Sequence, residues 1–123
     1  MYSCKHDYIC PLYCSYVHQQ YLWLVMPELL VTVLDLLKTV TPVGFDEGII
    51  SAIMYDVLNA LDYLHSNSQI HRDVKLSNLL INMSGKTVLS DFGVAAMMGP
   101  TEKFKTTYVG SPLYMAPEVT SNQ

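Results

Sequence analysis

Asp73, Lys75 and Asn78 fall close together in the chain, and Asp91 follows thirteen positions after Asn78. An aspartate can accept a proton from a hydroxyl, while an asparagine and a second aspartate offer hard oxygens to a divalent cation. A lysine between them neutralises negative charge. The set therefore offers a base, a cation and hard oxygen donors within one short stretch and its sequel. His71 and Arg72 stand directly before the first aspartate, and Phe92 and Gly93 directly after the last one. A lone triplet such as Asp91, Phe92, Gly93 means little. A base and an amide five apart, with a second cation-binding aspartate across a hairpin, is specific. The run from Gly110 and Ser111 through Tyr114, Met115 and Ala116 to Pro117 and Glu118 closes the pattern with a third signature.

The flanking sequence supplies elements to position these groups. Pro11 to Val17 and Tyr21 to Met26 are aromatic and β-branched runs around His18, Gln19 and Gln20, which predicts an antiparallel hairpin. Pro27 ends the second strand because it cannot donate to a ladder. Val33 to Lys38 predicts a short helix, followed by a turn from Thr41 to Gly44. From Asp46 to about His65, the residues Ile50, Ile53, Met54, Val57, Leu58, Leu61 and Leu64 recur at helical spacing. That is a helix of about 30 Å, with Asp46 and Glu47 at its positive end. Leu79 to Ile81 and Thr87 to Leu89 are strand-like around a tight turn at Asn82 to Gly85. Beyond Asp91 the scattered glycines and prolines predict a long irregular loop, the kind of segment that carries function.

Composition excludes several classes. The 123 residues are 50% hydrophobic with a net charge of -4, too apolar for a disordered chain and of the wrong sign for a nucleic-acid surface. Cys4, Cys10 and Cys14 are odd in number and lack the paired spacing of a zinc module, so they read as ordinary thiols. The longest greasy run, Tyr21 to Leu34, is broken by Pro27 and Glu28 and is shorter than the roughly 20 residues a membrane span needs. No secretory signal opens the chain, which leads to the expectation of a cytoplasmic location.

With all three motifs in order at fitting spacing, the chain resembles the protein kinase family. Leu22 to Met26, Tyr63 to Ser66, Gln69 to Lys75, Asp91 to Ala96 and Tyr108 to Pro112 look like the Ste20-like group of serine/threonine kinases. Tyr114 departs from the tryptophan that this group commonly carries there. The resemblance implies an α+β, two-lobed, protein-kinase-like fold that is incomplete: 1–26 as the end of the small lobe, 27–32 as the hinge, and 33–123 as the first half of the mainly helical large lobe. The glycine-rich loop, the ATP-anchoring lysine and its glutamate partner have no counterpart here, which leads to the expectation of a fragment inactive alone.

The resemblance also implies the roles. Asp73 is the base that orients the acceptor hydroxyl, and Lys75 neutralises the transferring phosphate. Asn78 and Asp91 hold Mg²⁺, and ATP is the donor. In the hinge, Met26 is the gatekeeper, Pro27 and Leu29 offer backbone groups to adenine, and Asp35 is a candidate neighbour of the ribose. Ser111 hydrogen-bonds the lysine and the aspartate. Lys75 and Ser111 together point to serine or threonine acceptors in protein substrates. Thr107 occupies the position of an activating phosphothreonine, with Thr106 as the neighbouring alternative, and Arg72 can grip the phosphate, so an upstream kinase or activating scaffold is an expected partner. His71 is expected to be structural, and Phe92 a packing wedge. A binding reading stands beside the enzymatic one: a pseudokinase that acts as an allosteric partner or scaffold.

Overall fold

A computed structural model describes residues 5–98 and 109–120. β1 (Cys14–His18) and β2 (Tyr21–Val25) form an antiparallel hairpin, with Tyr16 opposite Trp23 and His18 opposite Tyr21. Gln19 opens its two-residue turn at a φ of 55°, as tight hairpin connections require. The first strand starts at Cys14 rather than Pro11, and Pro11 itself has no N–H to offer a ladder. Tyr13 still donates its N–H to the Val25 carbonyl at 2.7 Å.

Residues 26–30 then lead into β3 (Val31–Thr32) and α1 (Val33–Thr39). Thr32 caps this helix: its Oγ1 accepts from the Asp35 N–H at 3.0 Å and donates to the Asp35 carboxylate at 2.7 Å. The long helix α2 (Glu47–Ser66) is capped by Asp46, whose carboxylate accepts from the Ile49 N–H at 3.0 Å. After it come β4 (Gln69–Ile70), β5 (Leu79–Ile81), β6 (Thr87–Leu89) and β7 (Ala96–Met97). A last short helix, α3 (Pro117–Thr120), follows a 3-10 turn at Pro112–Tyr114.

The strands pair as a three-stranded antiparallel sheet in the order β3-β5-β6, and as a separate β4-β7 ribbon. β3, β4 and β7 are two residues each, too short for alternation to be read in sequence. The segment after Asp91 is thus less irregular than its composition suggests, because Ala96–Met97 finds a partner in Gln69–Ile70.

The core sits between α2 and the three-stranded sheet, where Val57, Ala60 and Leu64 are buried with Ile9, Val33, Leu79 and Leu89. Residues 8–10 run alongside β6: Leu89 donates to the Tyr8 carbonyl at 2.9 Å and Cys10 to the Leu89 carbonyl at 2.8 Å. That pairing delivers Ile9 into the core.

The apolar stripe of α2 divides. Ile53 and Leu61 are half-buried against the core. Ile50, Met54 and Leu58 instead form a neighbouring row on the helix and are exposed by 46% to 56% of their surface. An apolar arc wider than a single seam has room for both rows.

Candidate active site

The site is built on the segment between β4 and β5, and His71 anchors it. The imidazole is buried, with Nε2 2.9 Å from the Ser90 carbonyl and Nδ1 3.3 Å from the Asp73 N–H. Donation by a main-chain N–H makes Nδ1 an acceptor, so Nε2 carries the proton and donates to Ser90. Burial pushes the His71 pKa below its ordinary value, against the pull of the Ser90 carbonyl and nearby carboxylates. The ring is neutral and structural, and Phe92 packs edge-on against it at 4.9 Å.

Asp73 is the centre of a closed set of hydrogen bonds. Lys75 Nζ lies 2.8 Å from its Oδ2. Ser111 Oγ donates to its Oδ1 at 2.8 Å and accepts from Lys75 Nζ at 2.9 Å. Asn78 Nδ2 donates to the Asp73 carbonyl at 2.9 Å and lies 3.2 Å from Oδ2. The Lys75 ammonium chiefly, helped by Ser111 and Asn78, holds the Asp73 carboxyl below the usual carboxylate range despite its partial burial. Asp73 is therefore ionised and oriented at neutral pH.

The β5-β6 hairpin brings Asp91 to this set. Asn78 begins the approach to β5, and Ser90, one residue past β6, donates both its N–H and its hydroxyl to the Asn78 carbonyl, at 2.9 and 3.0 Å. Asp91 follows immediately, exposed, with a φ of 62° and its Oδ1 accepting from the Gly93 N–H at 3.3 Å. Both donors that Asn78 Nδ2 directs at Asp73 leave its amide oxygen as the group available to a cation. An amide oxygen and an exposed carboxylate are the hard donors that suit Mg²⁺.

Arg72 lies between His71 and Asp73 with a φ of 69°, a conformation unusual for a long side chain. Its Nε donates to the Val94 carbonyl. Arg72 and Asp91 thus both hold backbone strain of order 1–3 kcal/mol per residue, and both flank the carboxylate set.

Among the described residues two cavities lie nearby, and the smaller is the one that Asp73 lines. It encloses about 310 Å³ beside Asp73 and Ser111, with Val109, Tyr114, Met115 and Val119 on its walls. The larger, of about 500 Å³, lies by Phe92 among Cys10, Leu12, Tyr13, Ala96 and Met97, and none of the described residues that line it is acidic.

Of the remaining sequence-derived candidates, Met26 is exposed, while Pro27 and Leu29 are half-buried in the crossing to β3. The next residue, Leu30, donates to the Ile81 carbonyl at 2.9 Å, which holds the end of this crossing beside β5. Asp35 is exposed, and its carboxylate is engaged by Thr32 at the start of α1. Thr107 lies outside the described residues. Sequence reasoning missed Ser90, whose contribution is main-chain contacts and a short hydroxyl with no pattern of its own; Val94 and Gly110 stood inside motifs, but their contacts with Arg72 could not be read from spacing.

A short-stranded hairpin, a long buried-face helix and an Asp73-Lys75-Asn78 loop set against Asp91 define a protein kinase catalytic domain, and the protein kinase domain family matches residues 1–123. The chain belongs to that family. Among curated relatives it is 41% identical over 119 residues to the serine/threonine-protein kinase pak-1 of Caenorhabditis elegans, covering 97% of this chain and 20% of that protein. It is 38% identical to the serine/threonine-protein kinase fray2 of Dictyostelium discoideum, covering 94% of this chain and 12% of that protein. Serine/threonine-protein kinase 4 homolog A of the same organism is 39% identical over 97% of this chain and 26% of that protein. These likenesses agree with the Ste20-like character of the motifs. The chain spans between 12% and 26% of the length of these relatives.

Proposed function

We propose that the protein of which this chain forms part is a serine/threonine kinase that transfers the γ-phosphoryl group of ATP to hydroxyls of protein substrates in the cytoplasm. The observation that carries the reading is the closed set around Asp73: Lys75 at 2.8 Å, Ser111 at 2.8 Å and Asn78 at 3.2 Å. A carboxylate kept ionised next to an ammonium is poised to orient an acceptor hydroxyl and accept its proton late in transfer. Lys75 lies where it can neutralise the migrating phosphoryl charge. Ser111 ties both groups to the loop that borders the smaller cavity, so a small alcohol presented from that side meets Asp73.

Asn78 and Asp91 are the residues that would hold Mg²⁺, which when bound neutralises charge on the phosphates. Met26, Pro27 and Leu29 lie in the crossing assigned to adenine, and Asp35 is assigned to the ribose side. In this reading, residues 1–26 end the small lobe, 27–32 are the hinge and 33–123 belong to the large lobe. The isolated chain has turnover near background. Phosphorylation of Thr107 by an upstream kinase, with Arg72 gripping the phosphate, is the proposed switch.

The test is a peptide-array assay of the full-length protein with Mg²⁺ and ATP, alongside Asp73→Asn. Phosphate incorporated on serine or threonine, reduced about 10²- to 10⁴-fold by the substitution, is the expected result. An activated protein that labels neither residue sinks the proposal and favours a scaffold.

A further inference from the structure

Gly110 sits directly before Ser111 with a φ of 115°, and a Cβ built on it would lie 2.5 Å from the Arg72 carbonyl oxygen. Side-chain carbons do not approach a carbonyl oxygen that closely. The obstacle is main chain, so it cannot rotate away as the end of a flexible side chain does. Arg72 is itself fixed: its own φ is 69°, its Nε donates to the Val94 carbonyl, and its neighbours His71 and Asp73 are both tied into the site. The close approach therefore brings the two backbones together, with the Arg72 side held in place. One of them carries Asp73 one residue on, and the other carries Ser111 one residue on.

We propose that Gly110 is a positioning residue for phosphoryl transfer: the absence of a side chain there lets the 109–111 backbone close onto the Arg72 carbonyl, which seats Ser111 Oγ between Asp73 and Lys75. This rests on the kinase reading above. Any side chain at 110 lifts the loop, and Ser111 moves with it because a single peptide unit joins them. Ser111 Oγ lies 2.8 Å from Asp73 and 2.9 Å from Lys75, and hydrogen bonds of that length do not survive a shift of about 1 Å. The other positive-φ glycines provide the control. Gly85 has a φ of 80° with nothing within 4 Å of a built Cβ, so Gly85→Ala imposes backbone strain without a clash.

The experiment is a double-substitution cycle on the full-length kinase with Gly110→Ala, Ser111→Ala and the pair, with Gly85→Ala alongside. Peptide phosphorylation and ATP KM are measured for each. Gly110→Ala is expected to lower kcat by about 10²-fold with ATP KM unchanged. Because it acts through Ser111, adding Ser111→Ala should cause little further loss. Independent, multiplying losses overturn the proposal, as does a Gly110→Ala enzyme no slower than Gly85→Ala. Amide hydrogen exchange over residues 71–75 and 109–115 reads the same contact without catalysis: faster exchange in both segments of Gly110→Ala supports it, and unchanged exchange overturns it. Absence of phosphate transfer by the unsubstituted protein counts against the kinase reading alone, and the exchange comparison still decides the role of Gly110.

Discussion

The imidazole of His71 lies 2.9 Å from the carbonyl oxygen of Ser90, so the loop that carries Asp73 is bonded to the residue that precedes Asp91. Together with the two hydrogen bonds from Ser90 to the Asn78 carbonyl, this contact holds the segments that carry Asp73 and Asp91 side by side. Replacing His71 by alanine leaves the buried Ser90 carbonyl without that donor and opens a cavity under Phe92, at a cost of about 2–4 kcal/mol. Denaturant unfolding of the full-length catalytic domain measures it, and a loss under 1 kcal/mol would contradict the anchoring role.

The same ring makes stability depend on pH. Its folded pKa lies below the ordinary 6.5 because burial disfavours the charged form. In the unfolded chain the ring takes up a proton as pH falls through 6.5, while the folded ring does not. The contribution of the neutral ring is therefore complete above that value and is lost as pH falls from it through the folded pKa. Unfolding curves across this window should show a steeper decline for the unsubstituted domain than for His71→Gln. Equal slopes would place the titration elsewhere.

Lys75 is the principal reason that the Asp73 carboxyl stays ionised below the usual carboxylate range. In Lys75→Ala that support is gone, so the acidic limb of kcat/KM is expected to move to higher pH. The neutral-pH rate should drop about 10- to 100-fold, the value of a charge-assisted hydrogen bond. A pH–rate profile of the two enzymes checks both parts, and a limb that does not move would separate Lys75 from the ionisation of Asp73.

Thr107→Ala in the full-length protein is expected to cut activity after identical upstream activation, and Arg72→Ala to produce a similar loss, while Thr106→Ala stays near the unsubstituted level. Phosphopeptide mass spectrometry before and after activation identifies the modified residue. Full activity in Thr107→Ala, with no phosphate found at that position, excludes the switch.

Ile50, Met54 and Leu58 present a continuous apolar row on α2, and the β1-β2 hairpin exposes Tyr16, Leu22 and Trp23. A surface with two such patches promotes association. The isolated 123-residue chain is expected to elute larger than a monomer in size-exclusion chromatography. Changing Ile50 and Leu58 together to lysine should reduce that association. A monodisperse monomer with cooperative unfolding would count against it.

Much of this was legible in the chain itself. The periodicity of Ile53, Val57 and Leu64 marks α2, Asp46 marks its start, and Leu79–Ile81 and Thr87–Leu89 read as strands, because local spacing and capping chemistry are properties of neighbouring residues. The identities and intervals of Asp73, Lys75, Asn78 and Asp91 were likewise readable in the sequence, and with them the resemblance to the protein kinase family. Where sequence was silent, the determining partner lies far along the chain. Two-residue strands such as Val31–Thr32 and Ala96–Met97 exist only because Ile81 and Ile70 bring a pairing edge to them. The division of the α2 stripe into a buried and an exposed row depends on which side meets β6. Ser111 reaches Asp73 across 38 positions, and Gly110 is held to glycine by the Arg72 carbonyl, a main-chain atom that has no letter in the sequence. Spacing can name a residue's chemistry, but only the folded backbone decides how closely two distant segments approach, because that distance is set by the packing of everything between them.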